Sequence, residues 1–83
     1  MEPEIVFVPS AFKHGINKAD IHWAFCTAKY DLPVEDDEGK RLLIGFNMAG
    51  NPLEIMYNRL DDETVKVFHA MKCRSAFYNL LNP

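Results

Sequence analysis

Residues 40–71, KRLLIGFNMAGNPLEIMYNRLDDETVKVFHAM, decide the fold of this chain. Leu42, Ile44, Phe46 and Met48 alternate with Arg41, Leu43, Gly45 and Asn47, the two-residue period of a β-strand. Ala49-Gly50-Asn51-Pro52 is rich in turn formers. Leu53, Ile55 and Tyr57 then alternate with Glu54, Met56 and Asn58, and Leu60-Asp61-Asp62-Glu63 turns the chain again. Thr64 to Ala70 makes the next strand, with Val65, Val67 and His69 on one face and Lys66, Phe68 and Ala70 on the other. Strands joined by such short turns form an antiparallel meander.

On the N-terminal side, Ile5 to Val8 is short, apolar and β-branched, which suits another strand. Ala11-Phe12-Lys13-His14-Gly15 reads as one helical turn stopped by a glycine. Asn17 is a good N-cap with Asp20 three residues on, and Ile21, Ala24, Phe25 and Ala28 share one face, so the spacing predicts a helix over 17–28. Lys29 to Val34 starts the sheet, with Pro33 confining it to an edge. On the C-terminal side, Arg74 to Leu81 reads as a short closing helix whose Phe77, Leu80 and Leu81 pack back on the sheet. This order predicts an α+β fold, an antiparallel sheet with helices packed on one face.

The chain has 83 residues, enough for one domain spanning 1–83 and one core. A chain of this size buries roughly 60–65% of its unfolded surface, so its stability is modest. The acidic start Met1-Glu2-Pro3-Glu4 does not read as a signal peptide, and no apolar run reaches the ~18 residues of a membrane span. A cytoplasmic location follows as the expectation, with Cys26 and Cys73 as reduced thiols. Glu35-Asp36-Asp37-Glu38-Gly39 lacks the ligand spacing of a calcium loop and reads as a solvated turn. The histidines and cysteines have no zinc-type spacing, so neither a metal nor another cofactor is expected.

The net charge is −3, which by itself disfavours nucleic acid. Five of the twelve acids are Asp31, Glu35, Asp36, Asp37 and Glu38, and three more are Asp61, Asp62 and Glu63, all read as loop residues. Without those eight, four acids face nine lysines and arginines, an excess of five positive charges. The body of the domain is thus compatible with a polyanion.

Lys13-His14-Gly15 before a capped helix, an acidic loop, Lys40 to Gly45, Ala49-Gly50-Asn51-Pro52-Leu53 and Val65-Lys66-Val67-Phe68-His69-Ala70 occur in that order. Together they resemble the BrnT toxins, and more closely the short relatives with His-Ala-Met in the last strand. The resemblance spans roughly residues 5 to 75. BrnT proteins belong to the RelE-like ribonuclease toxins, so the resemblance implies a RelE-like α+β fold, RNA cleavage without metal, and an antitoxin partner. Lys40 keeps the basic character of the position before Ile44-Gly45, and Lys66 that of an Arg-type position. His69 and Ala70 stand at the Ser-Ala places. Met71 stands where the family has Arg, and Met cannot clamp a phosphate as a guanidinium does.

RNA cleavage without metal needs a base for the 2′-hydroxyl, a cation for the developing phosphorane charge, and an acid for the leaving 5′-oxygen. His14 and His69 are the candidate acid and base, and Lys72 and Arg74 complete the candidate catalytic set. Lys13, Lys40 and Lys66 are candidate RNA contacts, and Tyr57 or Trp23 a candidate stacking ring. Cys73 beside Lys72 and Arg74 offers a thiolate nucleophile as a further option. Each residue also has a structural reading: His69 as a sheet histidine, His14 as a helix stop, the lysines as solvated charges. Two function classes follow, a toxin-like protein acting on RNA or the ribosome, and a non-catalytic module of the same fold that binds an antitoxin. A third is a protein that docks partners by adding a strand to its sheet edge.

Overall fold

The computed structural model describes residues 3–35 and 39–81. Along the chain come β1 (Glu4–Phe7), a 3-10 turn (Pro9–Phe12), α1 (Lys18–Cys26), β2 (Tyr30–Pro33), β3 (Lys40–Phe46), β4 (Pro52–Arg59), β5 (Thr64–Lys72) and a closing 3-10 helix (Ser75–Leu81). The strands form one sheet in the order β1-β5-β4-β3-β2. The pairs β2-β3, β3-β4 and β4-β5 are antiparallel, so the meander predicted from the alternation is present. Strand β1 pairs in parallel with β5, from Glu4 opposite Thr64 to Phe7 opposite Val67. The α+β class with helical segments on a sheet face holds: Ala11 of the 3-10 turn and Ile21 and Ala24 of α1 share one core with Leu43, Leu53, Ile55, Tyr57, Val65, Val67 and Ala70.

Local chemistry explains the helical entry. Asn17 caps α1 by accepting from the backbone N–H of Asp20 at 2.8 Å, which satisfies one of the orphan donors of the first turn. The segment expected as a helical turn stopped by Gly15 is a 3-10 turn over Pro9–Phe12, and Gly15 lies beyond it at φ +80°. That left-handed value disfavours any residue with a Cβ. Gly45 has a different reason. A Cβ there would sit 2.0 Å from the carbonyl oxygen of Ala24, so only glycine lets α1 settle onto β3.

Three expectations are corrected. Asp31 lies in β2, not in a loop; it accepts from the Tyr57 hydroxyl at 2.6 Å and from Arg41 Nε at 3.1 Å, tying the edge strand to the sheet. The closing segment is 3-10 and begins at Ser75, and its Phe77 and Leu80 line a cleft of about 350 Å³ with Leu42 and Met56. Leu42 and Met56 are register partners on the sheet face opposite α1, so both faces carry cover. The third correction concerns β5. Met56 pairs with His69 but Tyr57 pairs with Val67, so Phe68 is the extra residue of a β-bulge. The simple alternation breaks there: Ala70 joins the core with Val65 and Val67, while His69 goes to the other face beside Phe68. Of the acidic turn expected over 35–39, Asp36, Asp37 and Glu38 lie outside the described residues, whereas Asp61 to Glu63 are an exposed turn as expected.

Candidate active site

The bulge brings a polar cluster together on the face away from α1. Once turned off the core, His69 lies opposite Met56 and beside Glu54, the one buried charged residue among those described, with no solvent exposure. A carboxylate without water must be met by donors. Four polar groups converge on it. Arg74 gives three: its backbone N–H to Oε1 at 3.0 Å, its Nε to Oε1 at 3.0 Å and its Nη2 to Oε2 at 2.8 Å. His69 Nε2 is the fourth, 3.1 Å from Oε2.

Burial pushes the Glu54 carboxyl up, but the hydrogen bonds from Arg74 and His69 outweigh it and hold its pKa below the ordinary value. A depressed folded value means that the unfolded chain binds the proton first as pH falls. The stabilisation is therefore complete above the ordinary glutamate range and disappears as pH drops through the lower folded value. Urea denaturation across acid pH should show stability falling in that window, and Glu54→Gln should flatten that part of the curve. An unchanged slope in the variant would show that Glu54 is not the responsible group.

His14 enters from the chain before α1. The Ser10 hydroxyl donates to the Phe68 carbonyl at 2.7 Å, so the 3-10 turn is fastened to the bulge itself. That anchor leaves His14 with its ring centroid 5.6 Å from that of His69, edge to face at 73°. The His14 side chain is exposed, and 23% of the His69 side chain is. The two candidate proton carriers thus meet at one surface, with the Arg74 guanidinium held by the same carboxylate as His69.

Arg74 is bound but not used up. Its side chain is 56% exposed, and two of its five N–H donors go to Glu54, which leaves three for another anion. Its guanidinium also lies 5.2 Å from the Phe77 ring centroid. The pairing with Glu54 raises its pKa further, so it stays charged throughout. Lys72 is placed elsewhere. It pairs with Leu53, a residue of the α1 face, so its side chain belongs to the side away from His69.

The RNA-contact candidates extend the same face. Lys40 and Lys66 are the register partners of Asn58 on either side, making a row across three strands. Lys40 Nζ lies 5.6 Å from the Phe68 ring centroid, and Lys13 is exposed next to His14. Of the expected stacking rings, Tyr57 is only 2% exposed and cannot take a base, whereas Trp23 is exposed on α1, on the other side of the sheet. Phe68 is the ring beside Lys40, as Phe77 is beside Arg74. Cys73 is buried and its thiol pKa is raised, first by burial and then by the Glu54 carboxylate, which offsets the arginine beside it. That removes the thiolate option. Among the described residues, no group of three His, Cys, Asp or Glu is arranged to hold a metal. No described helix is long and apolar enough to cross a membrane.

Of the site candidates named from the sequence, His14, His69 and Arg74 come together in this cluster, whereas Glu54 and Phe68 are not among those candidates. Glu54 sits between Leu53 and Ile55, so alternation assigns it to a wet face. The available signal was that Ile44, its partner on β3, is apolar, which implies cover on that side too.

No family model matches this sequence, and no curated protein does. Among solved structures, the chain is similar to the Brucella abortus ribonuclease toxin BrnT, known from a crystal structure at 1.1 Å. The TM-score is 0.70, and the match covers 88% of this chain and 99% of that one, at 19% sequence identity. The likeness thus spans nearly all of both chains while leaving most side chains different, and it bears out the resemblance at the level of the fold. This chain has the BrnT fold.

Proposed function

We propose that this chain is a toxin-like ribonuclease that cleaves RNA without a metal and is restrained by a dedicated antitoxin. The observation that carries the reading is the meeting of His14 and His69, 5.6 Å apart, beside the half-exposed Arg74 guanidinium. Two imidazoles supply the proton acceptor and the proton donor that transesterification needs. Arg74 takes the place in charge stabilisation that Met71 cannot fill, because a guanidinium presents paired donors to phosphate oxygens. Lys40, Lys66 and Lys13 extend the positive surface away from the histidines, and Phe68 offers a ring for a base. The BrnT fold supports the toxin class, and with it a protein partner.

The alternative, a partner-binding module without activity, rests on Met71 and on the capture of Arg74 by Glu54. Induced expression of the chain alone separates the two. Wild type should slow growth and shorten cellular RNA, and His14→Ala and His69→Ala should each relieve both effects. A wild type that is harmless and leaves RNA intact would overturn the catalytic reading. A short open reading frame beside this one, whose product abolishes the effect, is the expected partner.

A further inference from the structure

The Glu54 carboxylate has four hydrogen-bonding groups within reach, and their chemistry fixes more than position. The backbone N–H, Nε and Nη2 of Arg74 can only donate. Two of them take Oε1 and one takes Oε2, and together with the Arg74 charge they hold the carboxyl below its ordinary pKa, so near neutrality it is in its ionised, acceptor-only form. An ionised carboxylate cannot donate to His69 Nε2, 3.1 Å from Oε2. The proton of that contact therefore belongs to the imidazole.

We propose that Glu54 is a positioning residue that keeps a proton on Nε2 of His69 and so makes Nδ1 the nitrogen that accepts the proton in the reaction. The inference rests on the reading of this face as a ribonuclease site, and it assigns the roles that reading leaves open. His69 is the base and His14 the acid. Nδ1 of His69 takes the proton of the 2′-hydroxyl as the 2′-oxygen bonds to phosphorus. The bond from phosphorus to the 5′-oxygen breaks, and that oxygen takes a proton from the His14 imidazolium. The products are a 2′,3′-cyclic phosphate and a 5′-hydroxyl, and exchange with water restores both rings. Arg74, held by the same carboxylate, keeps three N–H groups for the phosphorane oxygens. Among the described residues, the titratable and charged groups placed at the His69 ring are His14 from the segment before α1, Glu54 from β4, and Arg74 after β5, held by the same carboxylate.

The tautomer is directly measurable by long-range proton–nitrogen correlation on the ¹⁵N-labelled full chain, with the His69 signals identified by their loss in His69→Gln. The expected wild-type result, with His69 neutral, is one unaveraged pattern: Nε2 protonated and Nδ1 pyridine-like. An averaged pattern on both nitrogens, or a proton on Nδ1, overturns the proposal without any variant. Glu54→Gln sharpens the test. Two Arg74 donors at the Oε1 place against one at Oε2 favour the amide oxygen at Oε1, which puts the amide NH₂ at the Oε2 place, where it displaces Nη2 and donates to His69. The proton should then move to Nδ1, reversing the tautomer and blocking the base, with a loss of about a hundredfold or more in kcat. A folded Glu54→Gln that keeps the wild-type pattern overturns the proposal. None of the spectra involves RNA, so the two readings fail separately. A correct tautomer in a protein that cuts no RNA removes the ribonuclease reading, and active protein with the proton on Nδ1 removes this one alone.

Discussion

Gly45→Ala should cost about 3 kcal/mol or more, at the upper end of what overpacking does. The new Cβ would lie 2.0 Å from the Ala24 carbonyl oxygen and 2.7 Å from its carbon, and both are backbone atoms that no rotamer change can move. Helix α1 must then lift from β3, exposing Ile21 and Ala24, both fully buried, together with their partners on the sheet. For a domain of this size roughly 4–8 °C of melting temperature accompanies each kcal/mol, so the shift should be unmistakable in a thermal scan by circular dichroism. A variant melting within a few degrees of wild type would mean that α1 and β3 are not in that contact.

The largest effect on activity should come from His69→Ala, a fall of about 10²–10⁴ in the rate of RNA cleavage, the usual yield of one acid–base group. Stability should change far less, by about 1–2 kcal/mol at most, because Arg74 still gives Glu54 three hydrogen bonds. Parallel urea denaturation and cleavage assays separate the two consequences. Equal loss of folding and activity would reduce His69 to a structural residue. His14→Ala should cost a comparable factor in rate with almost no loss of stability, since His14 is exposed. Lys72→Ala should leave cleavage near the wild-type rate, because its register places it across the sheet from the histidines.

The contrast between Lys72 and Arg74 shows which parts of this protein are readable in its sequence. The meander was legible because alternation and turn residues report directly on pairing between neighbouring strands. The run at Ile5 announced a strand but not its neighbour, since parallel pairing of β1 with β5 depends on contacts between the two ends of the chain. The bulge left no mark at all. One unpaired residue, Phe68, needs no special composition, yet it reverses the faces of every position after it and carries His69 from the core side to Glu54. The same shift, with β5 continuing to Lys72, sends Lys72 to the α1 face. Glu54 was hidden for a related reason: in a strand covered on both faces, alternation no longer separates wet positions from dry ones. Its partner lies after β5, where no local pattern points to it. The histidine pair depends on the bond from Ser10 to Phe68, a contact that only the folded chain creates.

If the face built by His14, His69, Glu54 and Arg74 is a catalytic site, the purified chain should cut a single-stranded RNA in EDTA and leave 2′,3′-cyclic phosphate and 5′-hydroxyl ends. His69→Ala protein of the same stability, assayed beside it, should leave the RNA intact. RNA that stays whole with the wild type, or ends carrying a 5′-phosphate, would contradict it.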